Sequence, residues 1–378
     1  MKGFPLTLTK VAQRAGVSAS TASRYLRGQL KVQEETAARI DEAVRELGYE
    51  AHRPEAAKSE QGSVVALVVP DLINPFFAAL ADETANLAAA AGTSLVVGVT
   101  GRRAERESSI SALAAGAEAV DGLIYVGMHR RNPRLTQAVA EGLPVVAVDE
   151  EIDIEPDIDT VTVDNFGGAY QATTYLVQLG HRNIAHIAGP PELSTTQERL
   201  RGYREALQAA GLEFDPTLVL HGPYTEQFGA STFPHLAKAA TAPTAVFVGS
   251  DIAAIGVLGA AELHGIRIPE DLSVVGCDGI RVGQWLRPKL TTLQQPITEL
   301  AQAALDIISD RIAEPNSTSP KHRVLPLQLV TRGSASPVEH AGAARAERSG
   351  EGGRGAGLPH RTSARLPLFN AAEGYPDS

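Results

Sequence analysis

From residue 63 onward the chain alternates short β-branched apolar runs with alanine-rich stretches of helical length. The runs occupy residues 64–69, 94–99, 122–126 and 145–148, then, after Asp164, residues 184–187, 245–248 and 272–275. Strands that are apolar throughout have no face to give to water, so their sheet must be covered on both sides. The intervening helices supply that cover, and a strand–helix–strand order makes the sheet parallel. About 270 residues of this pattern exceed what one doubly wound sheet needs. The polar stretch 149–164 reads as a passage between two halves. The expected body is α/β: two doubly wound parallel-sheet lobes facing each other across a cleft, with one large α/β domain as the alternative.

The segment before this body differs in kind. Its first 33 residues hold six Lys or Arg and no Asp or Glu, in a chain of formal net charge −10. Residues 1–62 carry ten basic and eight acidic side chains, which leaves about −12 on the remainder. An acidic body repels a polyanion, so contact with nucleic acid is confined to the N-terminal segment. There Val11, Ala12 and Ala15 recur at helical spacing, Gly16 can end that helix in a left-handed conformation, and Ser18 can cap a second. On the second helix Ala22, Tyr25 and Leu26 are expected to pack inward, and Ala19, Ser20, Ser23 and Arg24 to face outward. A third helix, read as starting at Val32, carries Thr36, Ile40, Ala43, Val44 and Leu47 on one stripe and stops at Gly48. Small polar residues and one arginine on an exposed helix start suit a DNA major groove, so residues 1–50 are expected to form an α-helical helix-turn-helix head. An ordinary helical hairpin with a solvated basic face is the alternative, and the segregation of charge favours DNA.

Residues 51–62 are polar, include Pro54 and Gly62, and read as a linker; residues 63–336 form the body. Residues 337–378 lose all apolar periodicity and are expected to be a disordered tail with no heptad repeat. Cys277 is the sole cysteine, which rules out an intrachain disulfide framework and a cysteine-based zinc site. The N-terminus has no apolar signal-peptide core, and no apolar run reaches membrane-spanning length, so a cytoplasmic location without membrane contact is expected. No phosphate-binding glycine loop, Gly-x-Ser-x-Gly elbow or metal-spaced histidine cluster occurs, so neither an enzyme, a metal site nor a cofactor is expected.

A resemblance now covers nearly all of residues 6–333. The head segment from Thr7 to Ser18 with Ser20-Thr21-Ala22-Ser23-Arg24 resembles the lactose-repressor/galactose-repressor family of bacterial transcription regulators. So do Glu46-Leu47-Gly48-Tyr49, Val69-Pro70-Asp71 with Asn74-Pro75-Phe76-Phe77, Asp164-Asn165, and the run from Gly180 to Ala185. Gly189-Pro190, the run from Arg199 to Tyr203, Ser250-Asp251, the run from Ser273 to Asp278 and that from Leu290 to Gln295 complete the series. The resemblance implies a homodimer on a near-palindromic operator and a periplasmic-binding-protein-like body whose two lobes are crossed three times. It further implies that a small effector, most naturally a sugar, controls the affinity for double-stranded DNA, as in a repressor. A transport-type sugar-binding protein shares such a body but lacks a basic head.

By the same resemblance Ala19, Ser20 and Arg24 read bases, Arg24 by a bidentate contact to guanine. Thr7, Thr21 and Ser23 suit phosphate contacts, and Ser18 joins the DNA-binding set. In the linker the family's groove-wedging leucine is replaced by Lys58, which cannot be an apolar wedge; Lys58 and Arg53 suit DNA contacts instead, Lys58 to phosphate. The effector cleft belongs at the carboxyl ends of the strands. Asp149, Ser250 and Asp278 follow predicted strands, and Arg199 follows a Gly-Pro turn. The resemblance assigns Arg199 and Asp278 to effector hydroxyls and adds Thr195 and Gln295, with Phe76, Phe77 and Tyr224 as aromatic candidates against a sugar face; Phe76 or Phe77 also reads as core, since two adjacent aromatics seldom both face a cleft. Asp149 and Asp278 would repel a phosphate, which favours a neutral sugar. Asp71 can equally be a helix cap, Asp164 and Asn165 read as a cap, and His181 reads as a helix-terminal residue in a favourable dipole.

Overall fold

In a computed structural model the described residues are 8–26, 30, 32–47, 62–114, 120–155, 157–238, 242–314 and 319–338. The head comprises helices α1 (Leu8–Ala15), α2 (Ala19–Leu26) and α3 (Glu34–Leu47). Val11, Ala15, Ile40 and Ala43 form its buried core, flanked by Val17, Tyr25, Leu26, Val44 and Leu47. Gly16 turns the chain between α1 and α2 at φ +66°, where a Cβ would be strained. The third helix begins at Glu34 rather than Val32, because the Gln33 carbonyl accepts the first helical bonds, from Thr36 and Ala37.

The body opens with β1 (Val64–Val69), α4 (Pro75–Ala90), β2 (Ser94–Val99), α5 (Ala104–Ala114), β3 (Gly122–Tyr125), α6 (Pro133–Ala140), β4 (Val145–Val148) and β5 (Asp159–Val163). It continues through α7 (Asn165–Gln178), β6 (Ile184–Ala188), α8 (Ser194–Ala209), β7 (Val219–His221), α9 (Glu226–Lys238), β8 (Ala245–Val248), α10 (Asp251–Leu263), β9 (Ser273–Asp278) and β10 (Thr291–Gln294). It closes with α11 (Ile297–Ala313), β11 (His322–Leu325) and β12 (Gln328–Val330). Two six-stranded sheets result, ordered β11-β5-β4-β3-β1-β2 and β12-β10-β9-β8-β6-β7. All pairs are parallel except β10 with β12. The antiparallel edge strand is possible because β12 enters directly from β11 in the other lobe rather than through a crossover helix.

The chain crosses between lobes at Asp164, at Gln295–Pro296 and at Pro326–Leu327, which are the three passages the resemblance implies. The first passage is shorter than the polar stretch 149–164 suggests. Within that stretch β5 pairs with β4 and β11 and stays in the first lobe. Its threonines alternate with buried Val161 and Val163, and that half-polar pattern hides a strand that is buried on one face only. The chain is still tied down at its described end, where Val338 N–H donates to the Leu179 carbonyl at 3.0 Å; residues 339–378, most of the expected tail, lie outside the described residues. Among the described residues no helix is long and apolar enough to cross a membrane.

Candidate functional site

In the head, the Ser18 hydroxyl caps α2 by accepting from Thr21 N–H at 3.0 Å and lies 2.7 Å from the Thr21 hydroxyl. Ala19 at the start of that helix is exposed and Thr21 is half-buried. Ser23 departs from expectation: it is 7% exposed and faces inward. It sits three residues before Leu26, about 60° around the helix, so it flanks the packed face instead of opposing it. Thr7, Arg53 and Lys58 lie outside the described residues, as do the side chains of Ser20 and Arg24.

The cleft is built where the strands of both lobes end. Asp149 follows β4, Asp278 ends β9, and both hold positive φ, at 73° and 120°. Only three non-glycine residues among those described do so, and backbone strain of this kind persists where the surroundings enforce it. Arg199, in the second turn of α8, is buried; its Nε donates to Asn165 Oδ1 at 2.8 Å and its Nη1 to the Gly249 carbonyl at 2.6 Å. Two of its donors are thereby fixed, which orients the guanidinium plane. Tyr224 lies with its ring centroid 5.9 Å from that guanidinium and its hydroxyl 3.0 Å from Thr196 Oγ1. Gln295 Nε2 donates to Asp278 Oδ1 at 3.1 Å.

Two acceptors in this cluster have no protein partner. Asp149 Oδ1 and Gln295 Oε1 are buried and unbonded, in residues 9% and 3% exposed. Burial pushes the Asp149 carboxyl up to about 7; the Glu150 charge adds to this, Arg199 opposes it, and Asp278 adds again. Burial likewise raises Asp278, against the pull of Arg199, Gln295, Ser250 and the Asp251 N–H. A raised carboxyl binds its proton more tightly folded than unfolded, so the stability it contributes is lost as pH rises through the folded value. Asp149 should therefore cost the fold progressively between about pH 4 and about 7, by no more than about 4 kcal/mol. Buried His186, lowered to about 4 by desolvation, acts in the opposite sense between about pH 4 and 6.5. Comparing the thermal midpoints of wild type and Asp149→Asn across pH 4–8 isolates the first effect. The wild type should lose stability relative to the variant as pH rises, and parallel curves would refute the assignment.

Residues 7–52 match the family model for bacterial regulatory proteins of the lacI family, and residues 173–335 match that of a periplasmic-binding-protein-like domain. The HTH-type transcriptional repressor CytR of Escherichia coli (strain K12) is 32% identical over 332 residues, covering 87% of this chain and 96% of that protein. The HTH-type transcriptional regulator CelR of Thermobifida fusca is 34% identical over 337 residues, covering 87% and 98% respectively. Among solved structures, a CelR–cellobiose complex aligns with TM-score 0.68 and 33% identity over 88% of this chain and 100% of that one.

The chain belongs to the lacI family of bacterial regulatory proteins. In this lacI-family regulator the strand ends bring Asp149, Thr195, Arg199, Tyr224, Ser250, Asp278 and Gln295 into one region, all of them buried except half-buried Tyr224. Phe76 and Phe77 are placed differently. Both are packed into the core, ring centroids 5.2 Å apart in an edge-to-face pair. Pro75 starts α4, and its first turn directs both rings inward together with Leu80. Neither offers an open aromatic wall with the lobes in this arrangement.

Asp71 accepts from the Ile73 and Asn74 N–H groups and pairs with Arg102 at 2.6 Å, while Asn74 is the residue that caps α4. Asp164 caps α7 through Gly167 N–H at 2.7 Å, as read from the sequence. Asn165 is not a cap: its Nδ2 donates to the Val163 carbonyl at 3.2 Å and its Oδ1 holds Arg199. His181 is a buried staple, 2.9 Å from Thr244 Oγ1 and 3.1 Å from the Ser336 carbonyl, and no helix-dipole argument is needed for it. Sequence reasoning also passed over Glu150 and Thr196. The one available signal for Glu150 was a second carboxylate beside a strand-end aspartate.

Proposed function

We propose that this regulator is a sugar-responsive repressor that acts in the cytoplasm as a homodimer on a near-palindromic operator. The supporting observation is the pair of buried, unpartnered acceptors, Asp149 Oδ1 and Gln295 Oε1, beside an oriented Arg199 and the carboxylate of Asp278. The Gln295 amide oxygen can only accept, and the Asp149 carboxyl, raised to about 7, can accept or donate, so a ligand carrying hydroxyls fits both, and vicinal hydroxyls also supply acceptors to the Arg199 guanidinium. Asp149 and Asp278 disfavour a phosphorylated ligand, so the class is a neutral sugar. The relative solved with cellobiose supports the same class. The domain boundaries in this reading are 1–50 for the head, 51–62 for the linker and 63–336 for the body. A twofold pair of heads doubles the few base pairs that one short recognition helix can read. The effector works by favouring one lobe arrangement over another, because equal affinity for both would shift nothing.

A thermal-shift screen of neutral sugars against their phosphates tests the effector class; stabilisation by phosphorylated sugars alone would reject it. The head is tested by Arg24→Ala. Loss of its guanine contact should relax base preference at one position per half-site, at a cost of about 1–3 kcal/mol there. Binding curves on operator variants measure this, and an unchanged preference would remove Arg24 from base readout.

A further inference from the structure

Glu150 stands outside the set that faces a ligand, yet it makes the densest polar contact between the lobes. It follows β4 in the first lobe, and its buried carboxylate reaches the start of α8 in the second. There it accepts from Ser194 Oγ at 2.7 Å, from Thr195 Oγ1 at 2.5 Å and from Thr195 N–H at 3.2 Å. Ser194 Oγ in turn accepts from Glu151 N–H at 3.0 Å, so donors and acceptors run in both directions across the divide. Helix α8 lacks a cap of its own: Leu193 stands at the N-cap position and makes no side-chain cap bond. The first turn of a helix leaves N–H groups unpaired and carries positive partial charge. Here the missing cap and the compensating anion come from the opposite lobe. One turn further along the same helix is Arg199.

We infer that Glu150 is a positioning residue that clamps the lobes together by capping α8 in trans, and so ties the setting of Arg199 to lobe closure. Separation of the lobes uncaps α8 and leaves Glu150 without its three donors. Closure restores both in one step, so the arrangement has two discrete states instead of a graded hinge. The second link across the cleft is weaker: Arg102, held by Asp71, reaches the Tyr224 carbonyl at 3.5 Å. This inference rests on reading the body as an effector-responsive domain.

The test needs no effector, so failure to find a sugar and failure of the clamp are separate results. Nitroxide labels on Arg131→Cys (86% exposed, first lobe) and Glu192→Cys (exposed, second lobe) report the lobe separation by pulsed electron resonance. Native Cys277 is fully buried and escapes labelling. The labelled parent should show a short, narrow distance distribution. Glu150→Ala should add a longer population, and the pair Ser194→Ala with Thr195→Ala should reproduce it from the other lobe. Glu150→Gln should return the distribution toward the parent, since its amide oxygen still accepts from Thr195. Should Glu150→Ala not fold, the Ser194/Thr195 variant carries the measurement. A folded Glu150→Ala or Ser194/Thr195 variant with the parent distribution, even one of lower melting temperature, would reduce Glu150 to a local cap and overturn the clamp. So would a parent that shows only wide separations.

Discussion

Replacing Asp278 by alanine is expected to abolish the effector response while leaving operator binding intact. The carboxylate ends β9 at a strained positive φ, is buried, and is held by Gln295. A charge-assisted hydrogen bond lost inside a closed site costs about 1.5–3 kcal/mol, or roughly 10- to 150-fold in affinity. The variant also releases Gln295, whose other polar atom already lacks a partner, so the upper end of that range is expected. The helix-turn-helix lies in residues far from β9 and shares no sheet with it, so unliganded operator affinity should stay at the wild-type value. Calorimetric titration with a sugar that stabilises the wild type, run beside operator binding, separates the outcomes. Wild-type affinity for the sugar would remove Asp278 from the site. Loss of operator binding without any sugar would assign the residue to folding.

A single methyl group at Gly202 is expected to destabilise the body by about 3 kcal/mol. Helices α7 and α8 meet there almost backbone to backbone. A Cβ at Gly202 would stand 2.3 Å from the Phe166 carbonyl oxygen, 2.9 Å from Tyr170 N and 3.0 Å from Ala169 Cβ. Two of those obstacles are main-chain atoms inside a helix, which cannot rotate aside, so the helices must part. Parting them also moves α8, which carries Thr195 and Arg199. Gly202→Ala should therefore lower the urea midpoint with little change in slope, and should weaken sugar binding beyond what the stability loss explains. A wild-type midpoint would mean that the α7–α8 contact yields without cost.

The two effects differ in how far the chain itself announces them. The parallel lobes, the head and the strand-end placement of Asp149, Ser250 and Asp278 could be read from residue order. Apolar period and turn residues are local properties, and a doubly wound sheet puts its strand ends in one place whatever the side chains are. Ser18 and Asp164 were legible as caps for the same reason: a cap is set by residues within one turn. Ser23, His181 and the burial of both Phe76 and Phe77 rather than one of them were not. Whether each points into a core or away from it depends on which second element covers that side, and that element is distant in sequence. β5 escaped notice because one of its faces is only partly covered, so its threonines look like a loop.

Glu150 and Gly202 mark the limit most clearly. Nothing within ten residues of Glu150 tells that its carboxylate will cap a helix starting 44 positions later in the other lobe. Nothing beside Gly202 tells that a neighbouring helix passes within contact of its Cα hydrogen. The sequence by itself determined the alternation of strands and helices and the strand ends at which the polar cluster gathers. Only the tertiary structure decided which polar groups meet across the cleft, because those contacts depend on distances between lobes that no local pattern encodes.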